Sequence, residues 1–410
     1  MISNKHISLL VSGSIAAYKT PELVRELQRH GASVQCALSE SACNFVSPLT
    51  LQILSQKAVY TDMFDPASER EIGHISLADK ADLVICAPAS ADILAKAAGG
   101  LADDLLSTVI LASRSPVLFV PAMNVNMWQN RVTQENVTRL RDRGHLVLEP
   151  DEGFLACGWT GPGRFPEIER IIIGIEFALS PKELKGTRVI ITAGPTRESI
   201  DPVRYISNRS SGKMGYAMAR VAYCMGADVT LVSGPTALAV PPGIKTINVE
   251  TAEEMRKAVF ESVMAKVETS VALQAVYMAA AVSDHRPSVV SREKLKMDKS
   301  QSYDLNFVPA NDILFELGSR REEIEKSSGT RLALVGFAAE TGDVESMIHH
   351  ARLKREAKNL DLVVANLAHE SFGRDSARVW LISKNGREEE IALADKHRIS
   401  EKIIRASLKS

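Results

Sequence analysis

Apolar residues recur along the chain in short β-branched runs separated by longer amphipathic stretches. Residues 6–11 read as a buried strand, 12–14 as a small-residue turn and 15–30 as a helix that Gly31 stops before a second strand over 33–38. The same succession starts again in mid-chain. Residues 188–192 form a strand that breaks at Ala193-Gly194-Pro195-Thr196. After a long polar loop, Ser210-Ser211-Gly212 leads into a helix over 213–225, Gly226 caps it, and 228–232 supplies the next strand. Strands alternating with helices predict α/β architecture: two open, mostly parallel sheets, with ligands at the carboxyl ends of the strands. Two further strand ends are predicted where 81–86 meets Ala87-Pro88-Ala89-Ser90 and where 117–120 meets Pro121-Ala122-Met123-Asn124. A polar stretch at 181–186 reads as a linker between a domain of residues 1–180 and one of residues 187–410.

Chemistry follows from what stands at these breaks. Ser12, Gly13, Ser14, Ser90 and Ser107 are small and uncharged, which suits a flat aromatic cofactor and its phosphate better than an ionic substrate. Ser210, Ser211 and Gly212 open a helix, where free N–H groups and hydroxyls can meet a phosphate. Arg197, Arg204, Asn208 and Arg209 in the preceding loop strengthen the expectation of an anion site. The G-x-x-x-x-G-K-[ST] spacing is absent, so this is not a P-loop. On its own pattern His74 would be a surface or helix-start histidine. Residues 153–164, rich in glycine and aromatics around Cys157, read as a surface loop holding a small thiol or as a mobile flap that closes over substrate. Lys354 and Lys358, four apart, share a helical face. From 384 onward the chain carries no motif and reads as a strand and a terminal helix.

Composition narrows the class. At 410 residues the chain is too long for one core. With 49 basic and 50 acidic residues the net charge is −1, which removes a general electrostatic reason to bind nucleic acid or an anionic membrane. The five cysteines, Cys36, Cys43, Cys86, Cys157 and Cys224, are scattered and form no C-x-x-C, as expected in a reducing cytosol. The longest apolar run, 171–179, is half a membrane span, and the chain opens on a strand rather than a signal peptide. A cytoplasmic protein is expected.

Pro121-Ala122-Met123-Asn124-Val125-Asn126-Met127-Trp128 matches the P-x-M-N-x-x-M-W motif of the flavin-dependent cysteine decarboxylases without a gap. Gly13-Ser14-Ile15-Ala16-Ala17-Tyr18-Lys19 resembles the flavin-binding start of that family, His74 falls at its catalytic histidine, and Ala156-Cys157-Gly158 falls in its substrate-closing flap. Residues 187–366 resemble phosphopantothenate–cysteine ligase. As a whole the chain resembles the bacterial bifunctional phosphopantothenoylcysteine decarboxylase/phosphopantothenate–cysteine ligases of coenzyme A biosynthesis.

That resemblance implies a flavodoxin/Rossmann-like decarboxylase domain with FMN, followed by a Rossmann-like ligase domain using CTP and Mg2+. The ligase would join cysteine to 4′-phosphopantothenate through an acyl-cytidylate, and the decarboxylase would convert 4′-phosphopantothenoylcysteine to 4′-phosphopantetheine. FMN contacts would come from Gly13, Ser14, Ile15, Ser39, Pro88, Ser90, Ser107 and Met123. His74 would act at the substrate carboxylate or as acid/base, Asn124 would hold the carboxylate or the flavin edge, Met127 would pack against substrate, and Cys157 would return a proton. In the ligase, Asn208 would hold the acyl-cytidylate and Lys294 would belong to a lid. Substrate contacts would include Arg204, Ser210, Ser211, Gly212 and Ala280. Asp284 would meet the ribose, Asn311, Asp312, Ile313 and Leu314 would form a loop, Phe337 would face cytosine, and Lys354 and Lys358 would meet phosphate. A homo-oligomer is implied, trimeric through the first half and dimeric through the second. Three places depart from the usual pattern: Ser283-Asp284-His285-Arg286 replaces Ala-Asp-Tyr-Arg, Ala310-Asn311-Asp312-Ile313 replaces Asn-Pro-Asp-Ile, and Lys296-Met297 is less basic. A flavin-binding regulatory subunit is the alternative, though such relatives tend to lose the histidine or the flap cysteine. A dinucleotide oxidoreductase would need G-x-G-x-x-G after a first strand, and neither half has it.

Overall fold

The computed structural model describes residues 2–63, 73–156, 158–265, 271, 273–296, 304–371 and 373–409; the side chains of residues 73, 74, 370 and 371 lie outside this set. Two compact units divide the chain, Met1–Ser180 and Pro181–Ser410. Cys157, Met297 and the side chain of His74 lie outside the described residues.

Unit 1 is built on β1 (His6–Val11), β2 (Ser33–Leu38), β3 (Leu83–Ala89), β4 (Val117–Pro121) and β5 (Leu146–Val147). These form one parallel sheet in the order β2-β1-β3-β4-β5. Its helices are α1 (Thr20–Arg29), α2 (Pro48–Ser55), α3 (Gly73–Asp79), α4 (Ala91–Gly99), α5 (Leu105–Ala112), α6 (Val125–Gln129), α7 (Arg131–Asp142) and α8 (Ile168–Leu179). Alternate strand residues serve opposite cores. Leu9, Val11 and Ile85 pack with Leu23 of α1 and Ile172 of α8, whereas Leu10, Val84 and Cys86 pack with Leu94 of α4 and Val109 of α5. The apolar run at 171–179 is thus spent on a core helix.

Residues 153–164, expected as a loop or flap, contain most of an antiparallel hairpin, β6 (Asp151–Phe154) with β7 (Thr160–Arg164). Nor is 181–186 a free polar linker. Leu184 is fully buried, its N–H donates to the Met225 carbonyl, and Lys182 donates to the Cys224 carbonyl at 2.9 Å. One apolar residue in a polar stretch was enough to dock it.

Unit 2 contains β8 (Thr187–Ala193), β9 (Arg197–Ser199), β10 (Tyr205–Ser207), β11 (Asp228–Ser233), β12 (Lys245–Asn248), β13 (Leu273–Met278), β14 (His285–Pro287) and β15 (Phe307–Pro309). β16 (Arg331–Glu340), β17 (Leu362–Leu367), β18 (Ser376–Ser383) and β19 (Glu388–Asp395) follow. The main sheet runs β12-β11-β8-β13-β16-β17-β18-β19, parallel as far as β17 and antiparallel beyond. β9–β10 and β14–β15 are separate small hairpins, the first replacing the long loop expected before Ser210. The helices are α9 (Lys213–Cys224), α10 (Ala252–Met264), α11 (Ile313–Ser319), α12 (Arg321–Ser328), α13 (Val344–Ala357), α14 (Ala368–Ser371) and α15 (Lys396–Ser407). Val276 and Met278 face a core with α10 to α13, while Tyr277 between them turns the other way and bonds Ser407 of α15 at 2.7 Å. α9 and α15 therefore share the face opposite α13. The strand order reverses between β1 and β3 in unit 1 and between β8 and β13 in unit 2. Such reversals open a crevice at the strand ends, where α/β sheets bind ligands.

Candidate functional site

In unit 1 the reversal brings three strand ends together through serine hydroxyls. Ser12, buried after β1, donates to the Pro88 carbonyl at 2.8 Å and accepts the Ser90 N–H at 2.8 Å. Ser14 donates to the Ala122 carbonyl at 3.0 Å, which ties β1 to the end of β4. Gly13 lies so close to the next loop that a Cβ there would meet the Ser41 Cβ at 2.5 Å; Ser39 in that loop caps a short 3-10 helix. Ser90 caps α4 and Asn124 caps α6, its side chain accepting the Asn126 N–H at 2.8 Å. Ile15 and Met127 are about half exposed. Ser107 differs from this group. It is buried, with its hydroxyl held by Asp104 inside the α5 capping box.

The hairpin reaches the same strand end. Met123 donates to the Gly163 carbonyl at 3.0 Å, and Gly163, at φ 137°, passes where a Cβ would come within 2.3 Å of the Met123 carbonyl oxygen. Only glycine allows that approach. The Ser12 and Ser14 hydroxyls are used to fix the turns, and the resulting surface of small side chains, backbone groups and the Ser90 hydroxyl beside exposed apolar residues fits a flat ring with a phosphate.

In unit 2 a cavity of about 460 Å³ opens at the reversal. Ala281 donates its backbone N–H to the Gly194 carbonyl at 2.9 Å, Ala280 donates to the Thr192 hydroxyl at 3.1 Å, and Ser283 donates to the Thr196 hydroxyl at 3.0 Å. These bonds fix the ends of β8 and β13 side by side. Ser210, Ser211, Gly212, Ala280, Asp284, Asn311, Asp312, Ile313, Leu314, Phe337, Lys354 and Lys358 all line the cavity. Asp312 caps α11 and pairs with Lys358 at 2.5 Å. Lys354 donates to the Phe337 carbonyl at 2.7 Å; burial, then the charge of Lys358, lowers its pKa from the ordinary lysine value.

Other expected residues stand differently. Arg204 is engaged by Asp201 at 2.9 Å and by the Leu295 carbonyl at 2.7 Å, and Arg197 stacks on Tyr205 at 4.6 Å, so these two loop cations are already occupied, whereas Arg209 is exposed. Asn208 donates its amide to the Ala281 and Val282 carbonyls at 3.2 and 3.0 Å, beside the cavity. Lys294 is exposed and is not in the wall. Among the departures, Ser283 bonds the His285 carbonyl at 2.7 Å, and Asn311 donates to Glu253 at 3.2 Å. Cavity residues that sequence reasoning passed over include Lys213, Asn366 and Lys396. Lys213 directly follows Ser-Ser-Gly, a signal that could have found it; Lys396 stands in the tail without a motif.

The flavoprotein family matches residues 1–179, and the DNA/pantothenate metabolism flavoprotein C-terminal domain matches residues 184–409. The chain is 43% identical over 411 residues to the coenzyme A biosynthesis bifunctional protein CoaBC of Bacillus subtilis (strain 168), covering 98% of this chain and 97% of that protein. It is 46% identical over 392 residues to the protein of the same name from Escherichia coli (strain K12), covering 94% and 92%. A crystal structure of the C-terminal domain of a CoaBC protein is similar to 56% of the chain and 97% of its own length, at 37% identity and a TM-score of 0.44. Both halves being matched in order over nearly the full length, the chain belongs to the family of coenzyme A biosynthesis bifunctional proteins CoaBC.

Proposed function

We propose that unit 2 joins cysteine to 4′-phosphopantothenate at the expense of CTP, and that unit 1, with FMN, decarboxylates the resulting 4′-phosphopantothenoylcysteine. As a CoaBC protein the chain is a bifunctional enzyme of coenzyme A biosynthesis, decarboxylase and ligase in one. The observation that carries the assignment of the ligase is the cavity wall, where four lysines and two aspartates meet Phe337 and the Ser210-Ser211-Gly212 turn. Such a wall accommodates a polyanion with a base at one end. The acid's carboxylate would attack the α-phosphorus, releasing pyrophosphate, and cysteine's amine would then displace CMP from the acyl-cytidylate. Lys354 and Lys358 would offset charge developing on phosphate oxygens, and Asn208 would steady the acyl group. Asp284 would meet the ribose, Lys294 would close from outside, and Mg2+ would enter with the triphosphate, held by its oxygens together with retained waters.

For unit 1, flavin at the strand ends would supply a reversible two-electron acceptor, so that carbon dioxide leaves without net oxidation of substrate. Ser14, Ser90 and the turns around them would hold the cofactor, Asn124 and His74 would orient and neutralise the carboxylate, and Cys157 would return a proton. Cytoplasmic placement agrees with the free thiols of Cys36, Cys43, Cys86 and Cys224. Among the described residues no helix is long and apolar enough to cross a membrane. Exposed Tyr18, Leu49 and Ile53 support contacts between copies of unit 1 in a homo-oligomer.

The test is to incubate the purified protein with 4′-phosphopantothenate, cysteine, CTP and magnesium. Phosphopantetheine, pyrophosphate and carbon dioxide should all appear. Amide without carbon dioxide would remove the decarboxylase assignment, and no pyrophosphate would remove the ligase.

A further inference from the structure

We propose that Lys396, together with Lys213, forms a second phosphate-binding corner of the unit 2 cavity, on the opposite face of the sheet from Lys354 and Lys358. It deepens the ligase reading, on which the identity of the phosphate donor rests. Both lysines are the first residues of twelve-residue helices, α15 and α9; neither helix has an acidic residue in its first turn, and α9 starts after Gly212 without a side-chain cap, whereas Asp395 caps α15. A cation at that position opposes the helix dipole, where stability alone would favour a carboxylate. Two such ends meet here: the Ser400 hydroxyl of α15 reaches Met214 Sδ of α9 at 3.8 Å, and the Lys396 N–H donates to the Asp375 carbonyl at 3.1 Å.

Both carboxylates at this corner are engaged away from the Lys396 ammonium: Asp395 caps α15 by accepting the Arg398 N–H at 2.8 Å. Lys213 takes the exposed Asp375 carboxylate at 2.6 Å. Among the described residues the Lys396 ammonium has no hydrogen-bond or ion-pair partner, although the residue is half-buried and lines the cavity. Burial, then repulsion by Lys213, lowers its affinity for the proton, with Asp375 acting in the opposite sense. The groups that shift Lys354 most are Lys358, Glu340, Asp312 and Asp284, none of which is among those that shift Lys396 most. An ammonium without a hydrogen-bond or ion-pair partner, a second ammonium and the N-terminus of α9, which no side chain caps, fit a phosphate group at one cavity wall. Two sources share that chemistry: the terminal phosphates of the nucleotide and the phosphate ester of the acid substrate.

The full-length protein is titrated calorimetrically with inorganic tripolyphosphate as wild type, Lys396→Gln and Lys396→Arg. Wild type should bind, the glutamine variant should bind about tenfold more weakly, and arginine should recover most of the loss, because it restores charge. A wild type that does not bind, or a glutamine variant that binds equally well, overturns the proposal. Steady-state kinetics then separate the sources. A corner for the nucleotide raises KM for CTP alone in Lys396→Gln, and a corner for the acid raises KM for 4′-phosphopantothenate alone. A fall in kcat with both KM values unchanged would also overturn it. A chain that binds tripolyphosphate through Lys396 yet makes no amide from CTP would sink the ligase reading while the corner stands.

Discussion

Two residues show how local geometry sets chemistry. Lys354 sits below the ordinary lysine range because it is buried, and secondarily because Lys358 is close. A polyphosphate beside it favours the charged form and raises that value again. Nucleotide affinity should therefore fall as pH rises through the lowered value of the free enzyme, and binding in that window should take up protons. Calorimetry of CTP binding in two alkaline buffers of different ionisation heat checks this: the heats should differ for wild type and converge for Lys354→Gln. Identical wild-type heats would place the nucleotide away from Lys354. Gly163 is the other case. In Gly163→Ala the new Cβ meets the Met123 carbonyl oxygen in a backbone conformation that alanine avoids. A loss of about 1–3 kcal/mol is expected, together with reduced flavin content as the hairpin is pushed off the 123–124 turn. A denaturation midpoint and an absorbance spectrum like those of wild type would show that the contact is dispensable.

At the scale of elements, the segment carrying Lys294 is held by a polar clip rather than by a core. Asp201 accepts the Val203 and Arg204 N–H groups at 2.8 Å each and the Leu295 N–H at 3.2 Å, while Arg204 returns a bond to the Leu295 carbonyl. Arg204 first, then these backbone donors, hold the Asp201 carboxyl well below the usual carboxylate range. The sign follows: what the clip contributes is fully present above the ordinary carboxylate range, and it is lost only as pH falls through the lowered value. Asp201→Ala should release both the turn and the segment. Trypsin should then cut after Arg292 and Lys294 several-fold faster, and amide formation should fall more than CTP affinity. Unchanged cleavage would mean that the segment is held by something else.

For the whole molecule, the division at Met1–Ser180 and Pro181–Ser410 puts each sheet and its cores within one unit. A fragment ending at residue 180 should be yellow and decarboxylate supplied 4′-phosphopantothenoylcysteine. A fragment beginning at residue 181 should be colourless and make that compound from CTP. The second must keep Leu184, which is buried in unit 2; starting at residue 187 instead should cost about 2–3 kcal/mol of its stability, from the loss of that apolar side chain. Two insoluble fragments would contradict the independence of the cores, and denaturation curves of the soluble ones test the role of Leu184.

Much of this architecture is written locally. β-branched runs, glycine stops and capping residues depend on neighbours a few positions away, so β1, β2, β8, α9 and β11 were legible within a residue or two, and the unbroken Pro121-to-Trp128 motif pointed to the family. The hairpin over 151–164 was not legible, because two short glycine-rich strands show no hydrophobic alternation and are made by pairing with each other. The same limit hid the fate of the charges. Spacing shows that Arg204, Lys213 and Lys396 are cations; it does not show that Asp201 engages the first, that Asp375 pairs with the second, or that the third makes no ion pair among the described residues. Local periodicity determines elements because its interactions are short-range along the chain. Which side chains share a cavity is decided by sheet order and helix packing, which join residues from opposite ends of a unit.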